Sequence, residues 1–219
     1  PCEYEQLVLQ EFPGLAKVKC LRGIDAKSLN RTTVVTLVAI RNRISEDWPL
    51  CTDRLLCGIE AFLRPYTSPF AEIDAINPVY EEVTVFCGVS LKEGQQAGEA
   101  ISDINRNLCR CIAPWNEGQK EPVLGYSFSI RDLVSCIREN PAVEALHGMK
   151  LLQVMGEEEK FGLKAYTSEQ DENQMIAPSV PWGILVPAVR QYVKLIEPGE
   201  WCQDIEFGDL EVENTFVIQ

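Results

Sequence analysis

The stretch VYEEVTVFCGVSL, residues 79–91, alternates apolar and polar residues over most of its length. Because successive side chains of a β-strand point to opposite faces, alternate positions of this stretch share a face. The apolar face carries Val83, Val85, Cys87, Val89 and Leu91. The opposite face carries smaller or polar residues, namely Glu82, Thr84, Gly88 and Ser90. The pattern predicts a half-buried antiparallel strand with one face on a core.

A helix followed by Pro and a strand occurs on both sides of this stretch. The first copy is YEQLVLQEFPGLAKVKCL, residues 4–21, and the second is RDLVSCIRENPAVEALHGMKLLQV, residues 131–154. In each copy, a helix with apolar residues at helical spacing meets the proline, which stops it. Two further helices between the copies end in the same way, at Pro65 and Pro114. Such reused α/β pieces favour an assembly component over an enzyme.

Periodicity and punctuation residues predict the other elements. Helices are predicted at 3–12, 53–63, 97–112 and 130–140. Strands are predicted at 15–21, 32–40, 70–76 and 149–154. Thr52 is expected to cap the second helix, and Ser129 with Asp132 the fourth. The expected core stripe of the third helix is Ile101, Ile104, Leu108 and Cys111.

The Asn77-Pro78 pair is the best candidate for a boundary between subdomains. From residue 156 the chain becomes polar, and the segments GILVP, QYVKLI and DLEVENTFVI are typical of β structure split by Pro and Gly. We therefore predict an α+β fold with two small subdomains, 1–77 and 78–155, each a short sheet covered by helices on one face. A β-rich acidic segment, 156–219, follows.

Composition narrows the function classes. The chain has 219 residues and a net charge of −13, which argues against a nucleic-acid footprint because phosphate binding needs a basic face. No stretch approaches the ~18 apolar residues of a membrane span. The acidic residues concentrate in 155–219, which carries 13 of the 33. This segment is either a solvated acidic tail or a docking surface for a basic partner.

The chain starts with Pro1 and shows no signal-peptide pattern, so we expect it to be a processed product or part of a longer protein.

The nine cysteines do not form a recognisable framework. Their number is odd, no CxxC pair is present, and His147 is the single histidine, so we expect neither a disulfide scaffold nor a metal site. Most of the cysteines fall at apolar positions of predicted elements, where a free thiol behaves as a small hydrophobe. We interpret them as reduced core residues of a protein that folds in the cytoplasm.

No pattern for catalysis or cofactor binding stands out. A Cys nucleophile would need Cys136 beside His147, but no local signature or third orienting residue supports this pair. Glu81 and Glu82 are adjacent on a strand and so face opposite ways, and the run 157–159 is typical of a solvated turn. Neither GxGxxG nor Walker spacing occurs. We expect no enzyme activity, no cofactor and no small-molecule substrate.

Aromatic residues next to Pro or Gly are the candidates for an interface. They are Tyr66, Trp115, Tyr126, Trp182 and Trp201. Such residues serve either as local packing anchors or as the hot spots that protein interfaces use. Trp115 and Tyr126 bracket one polar loop, and we take them as the first candidates for a subunit contact.

The order of the segments carries a resemblance. A Tyr-containing helix leads to Pro-Gly and a strand in CEYEQLVLQEFPGLAKVKCL, and TTVVTLVAI and LLCGIEAFLRPY supply a β-branched strand and a helix ending at Arg-Pro. A strand entered through Pro-x-Tyr follows in NPVYEEVTVFCGVSLKEG. A helix ending in Pro, a Gly-aromatic-x-Phe segment and a helix leading to Pro-x-Val follow as CIAPW, LGYSFSIRDLVSCI and NPAVEAL. Over roughly residues 1–154, this order resembles the baseplate J-like family, the wedge proteins of contractile phage tails and related extracellular injection systems.

The resemblance implies a structural role. The chain would be the C-terminal part of a longer wedge subunit in the baseplate of a contractile tail or injection system. Its partners would be copies of itself and other baseplate subunits, including a second wedge protein, in a ring around the tail tube. It would fold in the cytoplasm and end in a phage virion or an extracellular particle.

Two other classes stay open. A binding module would recognise a carbohydrate or receptor through the β-rich tail, with Trp182 or Trp201 in contact with the ligand. An enzyme of unknown type would reveal itself by a single hyper-reactive thiol among the cysteines.

Overall fold

A computed structural model describes residues 2–22, 34–41, 48–115, 122–157, 160–167 and 173–197. The helices are α1 (Cys2–Glu11), α2 (Asp53–Leu63), α3 (Ala97–Ile112) and α4 (Ile130–Arg138). The strands are β1 (Leu15–Arg22), β2 (Val35–Arg41), β3 (Ile73–Ile76), β4 (Val79–Leu91), β5 (Phe128–Ser129), β6 (Val143–Glu157), β7 (Lys160–Thr167), β8 (Met175–Ile176), β9 (Gly183–Pro187) and β10 (Tyr192–Leu195). The α+β fold class is confirmed.

The first sheet has the order β1-β2-β3, with β1 antiparallel and β3 parallel to the central strand β2. The interior residues of β2 are buried, as expected for a strand paired on both edges. Helices α1 and α2 cover one face of this sheet: Val8 of α1 and Ile59 and Leu63 of α2 pack against Leu37 and Ala39.

The second sheet is built around β4, which pairs along both of its edges. On one edge β4 is antiparallel to β6, and β6 is antiparallel to β7. The other edge is divided between β9 along the first half of β4 and β10 along the second half, and both are parallel to β4. The strand predicted at 79–91 is confirmed, but its antiparallel pairing holds for one edge only.

The gap between β9 and β10 is filled by a side chain. Gln191 Oε1 accepts a hydrogen bond from the backbone N–H of Val85 at 2.6 Å, and Gln191 Nε2 donates to the carbonyl of Val83 at 3.2 Å. The side-chain amide thus replaces a peptide group of the missing strand neighbour. It gives the N–H of Val85 a partner at a buried position, whereas the carbonyl of Val83 also accepts from the N–H of Ala188 at 3.0 Å.

One face of the second sheet is covered by α3 and α4. The apolar residues of β4 pack against Ile104 and Leu108 of α3 and Leu133 and Ile137 of α4. The capping box of α4 is confirmed, because the backbone N–H of Asp132 donates to Ser129 Oγ at 3.2 Å and the N–H of Ser129 donates back to the carboxylate at 2.8 Å. The N–H and the hydroxyl of Ser129 both donate to the Asp132 carboxylate at 2.8 Å, and they lower the pKa of Asp132.

Some local predictions need correction. The buried stripe of α3 is Ala100, Ile104, Leu108 and Ile112, whereas Ile101 and Cys111 are half-buried. The stripe is rotated because both α4 and the sheet contact the helix. Thr52 occupies the N-cap position of α2 but makes no side-chain capping hydrogen bond. The strand predicted at 149–154 starts at Val143, directly after the turn at Pro141.

The two sheets pack against one another through residues on both sides of position 155. Ile40 of β2 lies in a cluster with Ile184 and Val186 of β9, and Val38 lies in another with Val180. The division into 1–77, 78–155 and 156–219 stays a prediction. Of the described strands beyond 156, β7, β9 and β10 belong to the second sheet, whereas β8 pairs with β5 in a separate two-stranded antiparallel sheet. Strand β6 itself runs from 143 to 157.

Val85→Asp tests the placement of β4. Val85 is fully buried under the helices, so an unpaired carboxylate there should lower the free energy of unfolding by several kcal/mol. Thr84→Asp, on the half-buried opposite face, is the matched control and should cost much less. Urea unfolding followed by circular dichroism measures both, and equal stability of the two variants would mean that the register is wrong.

Candidate interaction surface

The residues considered for nucleophilic chemistry do not come together. His147 lies on the surface with its Nε2 2.5 Å from Ser90 Oγ, while Cys136 Sγ lies 3.5 Å from the carbonyl oxygen of Asn107. Ser90 Oγ also donates to the carbonyl of Ile196 at 3.2 Å. Among the described residues, Ser90 is the hydrogen-bond partner of the His147 ring, and no ion pair places a carboxylate on it as a third orienting group. In this geometry the pair ties β6 and the end of β10 to β4.

Glu81 is a buried carboxylate whose structural role the sequence did not indicate. It lies on the same face of β4 as Val83 and is fully buried. Its carboxylate accepts hydrogen bonds from Gln153 Nε2 at 2.5 Å, from the backbone N–H of Ser179 at 2.7 Å and from the Ser179 hydroxyl. The two-residue period of the strand was the available signal, because it puts Glu81 on the apolar face.

The Glu81 network extends across the sheet. The Tyr166 hydroxyl of β7 donates to Gln153 Oε1 at 2.7 Å, and Gln153 Nε2 also donates to the carbonyl of Ala177 at 3.0 Å. Burial and the charge of Glu81 raise the pKa of Tyr166. The network joins β4, β6, β7 and the segment after β8 through groups that are all hydrogen-bonded, which is the arrangement of a structural clamp.

Metal binding has no visible donor set. Within the described ranges, no group of three or more His, Cys, Asp or Glu side chains is placed to hold an ion. Glu81 and Glu82 lie on opposite faces of β4, as expected. The acidic run 157–159 begins at the last residue of β6, and positions 158 and 159 fall outside the described residues.

Trp115 and Tyr126 contact each other inside the molecule. Their rings meet edge to face, with centroids 5.4 Å apart, and Trp115 is 7 % exposed in the cluster that joins the two sheets. Tyr126 is half-buried against the same cluster. Burial raises the pKa of the Tyr126 hydroxyl. Of the two uses considered for these aromatic residues, this geometry favours the packing anchor.

Trp182 has a similar position. It is 3 % exposed and lies between Val38 of the first sheet and Val180. Its indole therefore faces other residues of this chain rather than a ligand or neighbouring subunit. Trp201 lies outside the described residues.

Among the sequence-predicted interface residues that the structure describes, Tyr66 is the exposed one. It is 56 % exposed, at the end of a single 3₁₀ turn, Arg64–Tyr66, that follows α2. Phe70, four residues later, is 90 % exposed. Sequence reasoning missed Phe70 because it assigned this residue to the start of a strand, whereas β3 begins at Ile73. We call residues 64–71 the aromatic turn.

Hydrogen bonds within the aromatic turn hold its backbone. Arg64 Nη1 donates to the carbonyl of Ala71 at 3.1 Å, and the N–H of Ala71 donates to the carbonyl of Ser68 at 3.0 Å. The Thr67 hydroxyl donates to the carbonyl of Arg64 at 3.1 Å. These bonds close the turn on itself, so its aromatic side chains start from a fixed backbone.

Contacts with α1 and α2 anchor the turn to the first sheet. The Tyr4 hydroxyl donates to the carbonyl of Tyr66 at 3.3 Å. The ring of Tyr66 packs on Phe62 with centroids 5.6 Å apart, and Phe62 packs on Phe12 at 5.8 Å. A row of rings therefore leads from the helices to the surface, and it ends in a pre-organised aromatic projection.

The face of the second sheet opposite α3 and α4 also exposes an aromatic pair. The rings of Phe86 and Tyr192 stack with centroids 4.8 Å apart and 3° between their planes, and Tyr192 is 50 % exposed. Val189, in the link between β9 and β10, is 88 % exposed. This apolar area is separate in sequence from the aromatic turn.

Comparison with known proteins gives a structural likeness. No protein-family model matches the chain, and no curated protein matches it. A chain in the cryo-EM structure of the anti-feeding prophage (AFP) baseplate, six-fold symmetrised, shares the fold with a TM-score of 0.56 at 17% sequence identity. The alignment covers 84% of this chain and 36% of that chain, so this chain spans about a third of the baseplate subunit's length. At this identity the likeness shows the fold. None of the described helices is long and apolar enough to cross a membrane.

Glu81→Gln tests the buried clamp. The amide introduced by this change would place an N–H₂ group against the Gln153 N–H₂ group or the Ser179 donors. Gln153 cannot turn its amide to compensate without withdrawing its N–H from Ala177. We expect the free energy of unfolding to fall by about 1–3 kcal/mol, the cost of buried polar groups left unpaired.

Glu82→Gln is the matched control for this change. Glu82 is the next residue of β4 and lies half-buried on the other face. A substitution there should change the free energy of unfolding by no more than about 0.5 kcal/mol. Urea titration compares the two variants, and equal effects would show that Glu81 is not the centre of a clamp.

Proposed function

We propose that this chain is a structural component of the baseplate of a contractile tail or injection system, with the role of a baseplate J-like wedge subunit. The observation that carries the proposal is the fold shared over 84% of the chain with a subunit of the anti-feeding prophage baseplate. The order of the helix-Pro-strand segments along the sequence supports the same family. This support is independent of the structural comparison, because it rests on the residues alone. The proposed partners are other baseplate subunits and further copies of this chain.

The proposed work of the chain is mechanical. It holds neighbouring subunits and transmits the contraction signal, and it needs no cofactor, metal ion, nucleic acid or small-molecule substrate. We propose that it folds in the cytoplasm and then becomes part of the particle. The buried, fully hydrogen-bonded Glu81 clamp and the double-sided pairing of β4 support this role, because both favour a rigid body.

The aromatic turn is the proposed subunit contact. Hot spots of protein interfaces are enriched in aromatic residues, and a contact made from an already ordered backbone loses less entropy on binding. Tyr66 and Phe70 meet both conditions. Trp115 and Trp182 contribute indirectly, since their burial fixes the two sheets that carry the exposed surfaces.

A carbohydrate-binding module is not favoured by the geometry. Such a module stacks sugars on exposed rings, and the Trp182 indole is buried between the sheets. Trp201 is outside the described residues and adds no support.

Sedimentation of the parent protein tests the proposed function. The protein is tagged in its native cells, and the lysate is run on a density gradient. We expect a fast-sedimenting pool that contains sheath and tube proteins identified by mass spectrometry. Recovery only as a slow species without partners would overturn the baseplate proposal.

Phe70→Ala tests the proposed contact in the same experiment. Removing a hot-spot ring typically costs about 2 kcal/mol or more of binding, so the ratio of fast to slow pools should fall roughly 30-fold. Val189→Ala is the control, because Val189 is 88 % exposed and Phe70 is 90 % exposed, yet only Phe70 belongs to the turn. Both variants should melt like the wild type. A Phe70→Ala protein that sediments normally would exclude the turn as a major contact.

A further inference from the structure

Two thiols meet where α3 packs on α4. The Cys111 and Cys136 thiols lie within interaction distance of each other where the two helices pack. Cys136 Sγ is also 3.5 Å from the carbonyl oxygen of Asn107, the residue one helical turn before Cys111. Both contacts put the Cys136 sulfur against the last turns of α3. The sequence analysis treated both residues as core positions, but both are half-buried.

The other described cysteines have different surroundings. Cys20, Cys51 and Cys87 are buried, and burial raises the pKa of Cys87 to about 12. Cys57 is exposed on α2. Cys109 is half-buried on α3, but it lies two residues before Cys111 and so on a different face of that helix. A buried thiol with a high pKa is a poor nucleophile, because the thiolate is the reactive form. Among the described residues, Cys111 and Cys136 are therefore the candidates for paired thiol chemistry.

The contact makes the two thiols unequal. The neighbouring Cys111 thiol lowers the pKa of Cys136, and the positive charge of Arg110 acts in the same direction, while burial and Glu139 oppose it. The Cys136 thiol and burial raise the pKa of Cys111. Such a pair contains an attacking sulfur, Cys136, and a resolving sulfur, Cys111, which is the division of roles in thiol–disulfide exchange.

We propose that Cys111 and Cys136 are a modification site at which a small-molecule disulfide, such as glutathione disulfide, oxidises the chain to an intramolecular disulfide between α3 and α4. The Cys136 thiolate attacks one sulfur of the oxidant and forms a mixed disulfide, and one glutathione thiolate leaves and takes up a proton. Cys111 then loses its proton to water and attacks Cys136 Sγ, and the second glutathione leaves and is protonated. The two protein thiols are oxidised, and one glutathione disulfide is reduced to two glutathiones.

The bond would lock the helices that cover the main core. Residues on α3 and α4 bury the apolar face of β4, so a covalent link between them restrains the layer that protects this sheet. A disulfide between Cys111 and Cys136 also closes the loop between these residues, which reduces the number of conformations open to the unfolded chain. The inference does not depend on the proposed function. It predicts that the two thiols stay reduced in the cytosol and form the disulfide in an oxidising environment.

The test is oxidation of the full chain with glutathione disulfide. The native protein is incubated with the oxidant, the remaining thiols are alkylated, and the products are analysed by intact mass and peptide mapping. We expect a monomer that has lost two thiols, carries no glutathione and yields the peptide pair linked through Cys111 and Cys136. The oxidised form should unfold at a higher urea concentration than the reduced form.

Single substitutions separate the two roles. Cys111→Ser removes the resolving sulfur, so the protein should accumulate a stable adduct with one glutathione on Cys136. Cys136→Ser removes the attacking sulfur and should slow the reaction of Cys111 at least tenfold. Cys57→Ser is the control and should form the same disulfide as the wild type. Circular dichroism of each reduced variant checks that it is folded.

Three outcomes would overturn the inference. They are a disulfide that links other cysteines, a disulfide between two chains, and a wild-type protein that keeps glutathione on Cys136 without resolving it. The third would mean that the helices hold the sulfurs too far apart for the S–S distance of about 2.05 Å that a disulfide needs. Each of these products has its own mass and peptide map.

Discussion

The pairing of β4 along both edges is the constraint on which the second sheet depends. Backbone N–H and C=O groups at buried positions must find partners, and those of β4 find them in β6 on one side and in β9 and β10 on the other. The second edge is completed by a side chain, because Gln191 bonds to the N–H of Val85 and the carbonyl of Val83. Residues more than a hundred positions apart are thereby fixed to one strand.

The hydrogen bonds of the buried Glu81 carboxylate also fix the segments that surround β4. A carboxylate taken out of water is costly unless it is hydrogen-bonded, and here it accepts from Gln153 and from both the backbone and the hydroxyl of Ser179. All of these donors belong to elements that follow β4 in the chain. The interactions can form only when β6 and the segment after β8 reach their positions, so the clamp favours one arrangement of these segments over alternatives of similar apolar burial.

Local pattern was sufficient for most elements but not for their partners. Helices α2 and α3 have the bounds that periodicity and flanking residues indicated, because a helix is decided within its own sequence. The alternation in 79–91 identified a strand. It carried no information on the parallel pairing with β9 and β10, which depends on contacts far away in the chain. The same limit explains Glu81: its face was readable from the period of two, but its donors were not.

The aromatic residues show the same limit: local sequence predicts where a ring lies along the chain, but distant contacts decide whether it is buried. A ring beside Pro or Gly is placed at the end of an element, and whether it is covered depends on what that end packs against. Trp115 and Trp182 end up between the sheets because β9 returns to β4 and brings its neighbours against β2. Among the described residues, the turn after α2 is covered only in part: the Tyr66 ring packs on Phe62, and Tyr66 and Phe70 both stay exposed. Rings that join the sheets make the body rigid, and rings left on a fixed turn have little further entropy to lose on contact. The proposed mechanical role would use both properties, and in this fold they are supplied by different members of one residue class.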